Sequence, residues 1–194
     1  MNEYILSCCS TADLSEEHFR SRSISYICFH YELDGMQYLD DLGKSMPFDK
    51  FYTAMVNGAD TKTSQINVDE YINYFEPFLK EGKDILHLSL SSGISGTINS
   101  ATIARDTLQE QYPDRKIHVM DSLAASSGYS LLIDRLADLR DEGKSLSEVC
   151  EWALANRLKL NTGSFPRTLP SILKEAASPR LPVLSAACLT SARS

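Results

Sequence analysis

The sequence predicts an α/β protein, a three-layer sandwich built on a largely parallel sheet. Three observations carry that expectation. Apolar, β-branched and aromatic runs alternate with segments of helical period through the first 160 residues. Several of those runs are too continuously apolar for a sheet with one wet face. Strand–helix alternation is itself the pattern of a parallel sheet covered by helices. At 194 residues, 43% hydrophobic and 23% charged, the chain has the composition of an ordinary soluble fold of one domain or two small ones.

Taken in order, YILSCC (4–9) reads as the first strand, and a short helix carrying His18 follows. The run ISYICFHYEL (24–33) reads as a second strand. PFDKFYTAMVNG (47–58) reads as a helix, with Pro47 at a first-turn position and Gly58 closing it. Thr61–Gln65 then connects two helices. VDEYINYFEPFLKEG (68–82) follows Asn67, and Glu70 three residues on completes a capping-box pattern. Its Tyr71, Phe75, Phe78 and Leu79 form one apolar stripe, which Pro77 is expected to kink. DILHLSLS (84–91) and KIHVMDS (116–122) read as strands, separated by the helix INSATIARDTLQEQY that follows Thr97. The helix GYSLLIDRLADLRDEG puts Leu132, Leu136 and Leu139 on one face, and Ser145 with Glu148 caps a last helix from Leu146.

The composition changes sign near residue 160. Residues 1–160 carry 15 basic and 25 acidic side chains, whereas 161–194 carry four basic and one acidic, together with four of the seven prolines. Prolines so spaced interrupt helices and sheet ladders alike, so 1–160 reads as the domain and 161–194 as a poorly ordered tail. Overall 19 Lys+Arg stand against 26 Asp+Glu, a balance that argues against a phosphate-binding face for nucleic acid. No apolar run reaches the roughly 20 residues of a bilayer span, and the start MNEYILSCCSTADLSEE has no leader pattern. The expectation is a cytoplasmic protein without a transmembrane segment. Five cysteines, with no CxxC spacing and no histidine at metal-ligand spacing, read as small buried hydrophobes in a reducing compartment rather than as a disulfide framework or a zinc site.

In parallel sheets ligands sit at the carboxyl ends of strands, where loops lead into helix N-termini. Three such loops are hydroxyl-rich here: Ser10–Asp13, Ser91–Thr97 (SSGISGT) and Asp121–Ser122. In SSGISGT, Gly93 and Gly96 admit a close backbone approach, and Ser95 and Thr97 offer short donors where the helix dipole favours an anion. A carboxylate or a phosphate fits such a loop. On the residues alone, a turn whose hydroxyls only cap the helix is the commoner use of it. Two sharper motifs fail. The residue two after Ser95 is Thr97 where a nucleophile elbow needs glycine, and no Gly-Lys-Ser/Thr follows for a phosphate-binding P-loop. His30, His87 and His118 lie in strand-like runs and read as core or sheet-face residues rather than bases.

The segments CSTADLS (9–15), TSQ (63–65), LSSGISGTINSA (90–101) and VMDS (119–122), in this order and spacing, resemble the DegV family over about residues 3–160. These are bacterial fatty-acid-binding proteins that present a bound acyl chain to a fatty acid kinase. The resemblance implies that Thr63 and Ser95 hydrogen-bond the carboxylate of a long-chain fatty acid, with Ser64, Gly96 and Thr97 shaping the supporting loops. It implies no cofactor, no metal and no catalysis by the chain itself, since the kinase subunit supplies ATP and magnesium. Transient contact with a membrane surface fits a lipid ligand. Cys9 stands where the family usually has aspartate, and the family's C-terminal domain, with its carboxylate-binding histidine, has no counterpart in 161–194. A different class of function, an enzyme or sensor of a small phosphorylated metabolite, would use the same SSGISGT loop but need further convergent donors. The tail is expected to be an out-of-frame translation of the family's second half. With suitable synonymous codons the shifted frame of SILKEAASPR (171–180) reads YIKGGRISK, and 161–165 is compatible with HWFF.

Overall fold

A computed structural model of the chain describes residues 4–159. The expectations placed on 161–194, poor order and a shifted reading frame, lie outside the described residues.

Four strands form a parallel sheet: β1 (Tyr4–Cys9), β2 (Ile24–Ile27), β6 (Asp84–Ser89) and β7 (Ile117–Asp121), in the order β2-β1-β6-β7. Leu6 pairs with Ile24 on one side and Leu86 on the other, so β1 and β6 are the central strands. That position explains their continuous apolar character: Leu6, Cys8, Ile85, Leu86 and Leu88 are fully buried. The two-residue period of a strand divides them between two faces. Ser7, Cys9 and His87 look toward α3 (Val68–Lys80), where His87 packs edge-on against Tyr71 and Phe75. On that side α3 packs on α4 (Thr97–Gln111), which lies along β7. The opposite face is covered by α1 (Glu16–Ser21), α5 (Ser126–Asp141) and α6 (Leu146–Asn156). The three-layer expectation holds.

Local signals account for most of the helices. Asn67 and Ser145 each accept from the backbone N–H three residues on, while Glu70 and Glu148 accept from the cap residue's own N–H, completing two capping boxes. Those bonds hold the Glu148 carboxyl down at about 2. Helix α3 continues through Pro77, which lies on its exposed side. The helix α2 (Phe48–Val56) starts one residue later than expected, with Pro47 as its N-cap, and it buries none of its residues.

One expected element divides in two. The run 24–33 ends its parallel pairing at Ile27, and β3 (His30–Leu33) belongs to a second, antiparallel sheet of order β4-β3-β5, with β4 (Met36–Leu39) and β5 (Thr61–Ser64). The backbone leaves the first sheet at Cys28–Phe29, where the Phe29 N–H donates to Ser10 Oγ at 3.0 Å. Asp34 and Gly35, at φ 48° and 82°, form the two-residue turn between β3 and β4 that positive φ values require. The segment expected only to connect two helices is β5, and it pairs His30 with Ser64 and Tyr31 with Thr63. No helix among the described residues is long and apolar enough to cross a membrane, and none of their His, Cys, Asp and Glu side chains gather in threes fit for a metal ion.

Candidate functional site

The three hydroxyl-rich loops gather at the carboxyl edge of the parallel sheet because each follows one of its strands. After β1, Ser10–Ala12 makes a single 3-10 turn that ends on Asp13 at φ 54°. After β6, the loop folds on itself through Ile94 and Ser95 N–H groups donating to the Ser91 carbonyl at 3.0 and 3.1 Å. Asp121, at the end of β7, ties two loops together. Its Oδ1 accepts from Ser92 N–H at 3.2 Å and from Leu123 N–H at 2.9 Å.

Ser95 serves the helix and remains available. Its Oγ accepts from the Thr97 N–H at 3.2 Å, which satisfies one of the donors at the start of α4, and its own O–H is left to donate from a half-buried position. Thr97 does not face outward. It is fully buried, and its Oγ1 lies 3.1 Å from the Tyr71 hydroxyl. Thr97 therefore supports the loop from within.

Thr63 and Ser64 are exposed on β5. Thr63 lines a cleft of about 230 Å³ between α2, β3 and the loop after β1, whose walls are largely aromatic and aliphatic: Phe29, Leu39, Met46, Phe48 and Phe51. Ser95 is not among the residues that line it. The TSQ and SGT segments meet beside the cleft, where the Gln65 amide oxygen covers Gly96. A Cβ on Gly96 would stand 2.7 Å from that oxygen, closer than side chains approach, so any larger residue there displaces the exposed Gln65 amide.

The structure picks out members of the Ser10–Asp13 loop and adds Asp40, which the sequence did not single out. Thr11 also lines the cleft, and its Oγ1 is buried without a hydrogen-bond partner among the described residues. Asp13 and Asp40 stand on the same cleft, and burial raises the Asp40 carboxyl above the usual carboxylate range. Lys62, the nearest cation in sequence to Thr63, is held by Glu32 at 3.2 Å and Asp60 at 3.1 Å. Thr11 and Asp13 belong to the hydroxyl-rich loop the sequence marked after the first strand, whereas Asp40 carries no such signal and only the fold brings it to the cavity.

Behind the loops lies a buried polar chain. His87 Nδ1 is 2.9 Å from Ser7 Oγ, itself 2.9 Å from the Tyr74 hydroxyl. His87 Nε2 is 3.8 Å from Cys9 Sγ, and that sulfur is 3.6 Å from the Tyr71 hydroxyl. Burial holds the imidazole neutral, with its pKa down at about 3, and pushes the Cys9 thiol up. His87 is a core histidine, as its strand position suggested. Cys9 likewise faces this chain and not the cleft.

A parallel α/β sheet with hydroxyl-bearing loops at its carboxyl edge, beside a small antiparallel sheet that bounds an apolar cleft, places the chain in the class of α/β domains with a cleft at the strand ends. The family model described as an uncharacterised protein of the DegV family matches residues 9–185. The chain belongs to the DegV family. A DegV domain-containing protein of Clostridium perfringens is 34% identical over 160 residues, covering 82% of this chain and 55% of the relative. The crystal structure of a stearic acid-binding protein from Eubacterium ventriosum superposes with a TM-score of 0.72 at 28% identity, covering 77% of this chain and 52% of that one. The fatty acid kinase (Fak) B3 protein of Streptococcus pneumoniae, solved loaded with linoleic acid, gives 0.65 at 28% identity, covering 81% and 55%. The chain spans about half the length of the curated relatives it matches.

Proposed function

We propose that the chain binds a long-chain fatty acid and presents its carboxylate to a partner fatty acid kinase, without catalysing a reaction itself. The observation that carries the reading is an apolar cleft bearing an exposed hydroxyl at Thr63, in a chain whose structural neighbours include stearic acid- and linoleic acid-bound proteins. Thr63 and Ser95 donate to the carboxylate; Ser64, Gly96 and Thr97 hold the two segments in place. Neutral donors orient the acid while leaving its oxygen nucleophilic, whereas an Arg clamp would neutralise it. ATP and magnesium then belong to the kinase, in the cytoplasm, and the acid is exchanged by transient contact with a membrane surface. The local charge favours this reading over a phosphorylated metabolite: Lys62 is already paired, and Asp13 and Asp40 face the cleft.

Native mass spectrometry of the protein purified from a bacterial host tests the ligand class. A co-purified fatty acid is expected; a phosphate ester in its place would overturn the reading. Calorimetry with oleate tests the residues. Removing one charge-assisted hydrogen bond costs about 1.5–3 kcal/mol, so Thr63→Ala and Ser95→Ala should each lose roughly ten- to a hundredfold in affinity. Unchanged dissociation constants in both variants would remove these residues from the site.

A further inference from the structure

We propose that Tyr71 is a positioning residue, whose buried hydroxyl braces the TSQ and SGT segments against each other through Thr97. The assignment deepens the fatty-acid reading and rests on it for its functional meaning. The covalent path explains why one hydroxyl reaches both segments. TSQ runs through the buried Ile66 into Asn67, the cap of α3, and Tyr71 is the fourth residue of that helix. Its hydroxyl lies 3.1 Å from Oγ1 of Thr97, the first residue of α4, and the Thr97 N–H donates to Ser95 Oγ. Tyr71 and Thr97 are both 0% exposed, so neither can meet a ligand directly.

The phenol has little freedom to miss its partner. Its ring is pinned edge-on to His87 at 5.3 Å and tilted against Phe75 at 5.4 Å, and Cys9 Sγ lies 3.6 Å from the hydroxyl. A hydrophobic residue would fill the same stripe of α3. The hydroxyl adds a fixed distance between the start of α3 and the start of α4, and these starts carry the two segments proposed to share one carboxylate. The second contact between the segments, Gln65 over Gly96, is on the exposed side and its amide can swing away. Tyr71–Thr97 is the buried one.

Tyr71→Phe keeps the ring and removes the brace. Oleate affinity should fall roughly three- to tenfold, the range of one neutral hydrogen bond. In the ligand-free protein, amide exchange at 95–97 and 63–65 should accelerate relative to the amides of β1 and β6. The variant also strands the Thr97 hydroxyl, so Tyr71→Phe with Thr97→Val separates positioning from stability. The pair leaves no lone buried hydroxyl at this contact and should recover melting temperature while oleate affinity stays low. Affinity that recovers together with melting temperature, or local exchange that does not change relative to β1 and β6, would overturn the proposal. Should the unaltered protein bind no oleate, the fatty-acid reading fails, and the exchange measurement still decides the brace.

Discussion

His87 ties the acid stability of this fold to one buried imidazole. It is fully buried, its Nδ1 is engaged with Ser7 Oγ, and desolvation lowers its pKa from an ordinary 6.5 to about 3. Above pH 6.5 the imidazole is neutral whether the chain is folded or not, and the native state keeps its full advantage. As pH falls from 6.5 toward 3, the unfolded chain takes up a proton that the folded chain refuses, so stability declines by up to 1.36 kcal/mol per pH unit. Between pH 7 and pH 5 the loss from this residue alone amounts to about 2 kcal/mol, a large fraction of a typical domain's margin. Urea unfolding at several pH values, in the parent and in His87→Gln, isolates it. His118, which burial also lowers, and the His18–Asp134 and His30–Glu70 pairs are common to both proteins and cancel in the difference. The parent should lose about 2 kcal/mol more than the variant between those pH values. Equal pH dependence in the two proteins, or a His87 imidazole that titrates near 6.5 by NMR, would refute the reasoning.

Two further outcomes follow from local geometry. Gly96→Ala should push the Gln65 amide off the loop, because the new Cβ would stand 2.7 Å from its oxygen. Oleate affinity should fall while the melting temperature changes little, and Gln65→Ala, which loses the same contact, should give a similar fall that the double variant does not add to; calorimetry on the three variants checks this. Asn67→Ala removes the capping-box acceptor at the start of α3 and should cost about 1 kcal/mol, roughly 2–4 °C in melting temperature by calorimetric scanning.

What the sequence revealed follows the range of the forces involved. β1, β6 and β7 lie within a residue or two of their apolar runs, and both capping boxes form as the Asn67/Glu70 and Ser145/Glu148 spacings indicated, because these signals are local. The run 24–33 looked like one strand because residues on both sides of Cys28 have high β-propensity; the break comes from Ser10 capturing the Phe29 N–H across the fold. Asp34-Gly35 was a readable hairpin signal, weakened by the exposed, mixed character of Met36–Leu39. β5 had no apolar alternation to read: Thr61–Ser64 is a strand because β3 offers it partners. At the site, SSGISGT stood out by its glycines and hydroxyls. Thr11 was legible only as one member of the hydroxyl-rich Ser10–Asp13 loop, and Tyr71 only as part of an apolar stripe; each is distinguished by where its oxygen ends up.

Head and tail of a long-chain acid make separate demands on this chain. The head needs a few fixed donors, and Thr63 and Ser95 are proposed to supply them. The tail needs dry apolar volume, and the cleft among the described residues holds about 230 Å³, below the roughly 300–1,000 Å³ of sites that enclose drug-sized ligands. Each methylene left in water forgoes about 0.8 kcal/mol, close to fourfold in the dissociation constant. With a cleft of that volume, the protein should hold oleate more weakly than a relative whose site encloses the whole acyl chain. Its affinity should also level off with acyl length once the cleft is filled. A series of saturated acids of increasing length, titrated by calorimetry into this chain and into a relative, reads both effects at once. The expected result is an early plateau here and a continuing rise in the relative. Parallel curves of equal affinity would mean that this chain encloses the whole tail, contrary to the cleft volume.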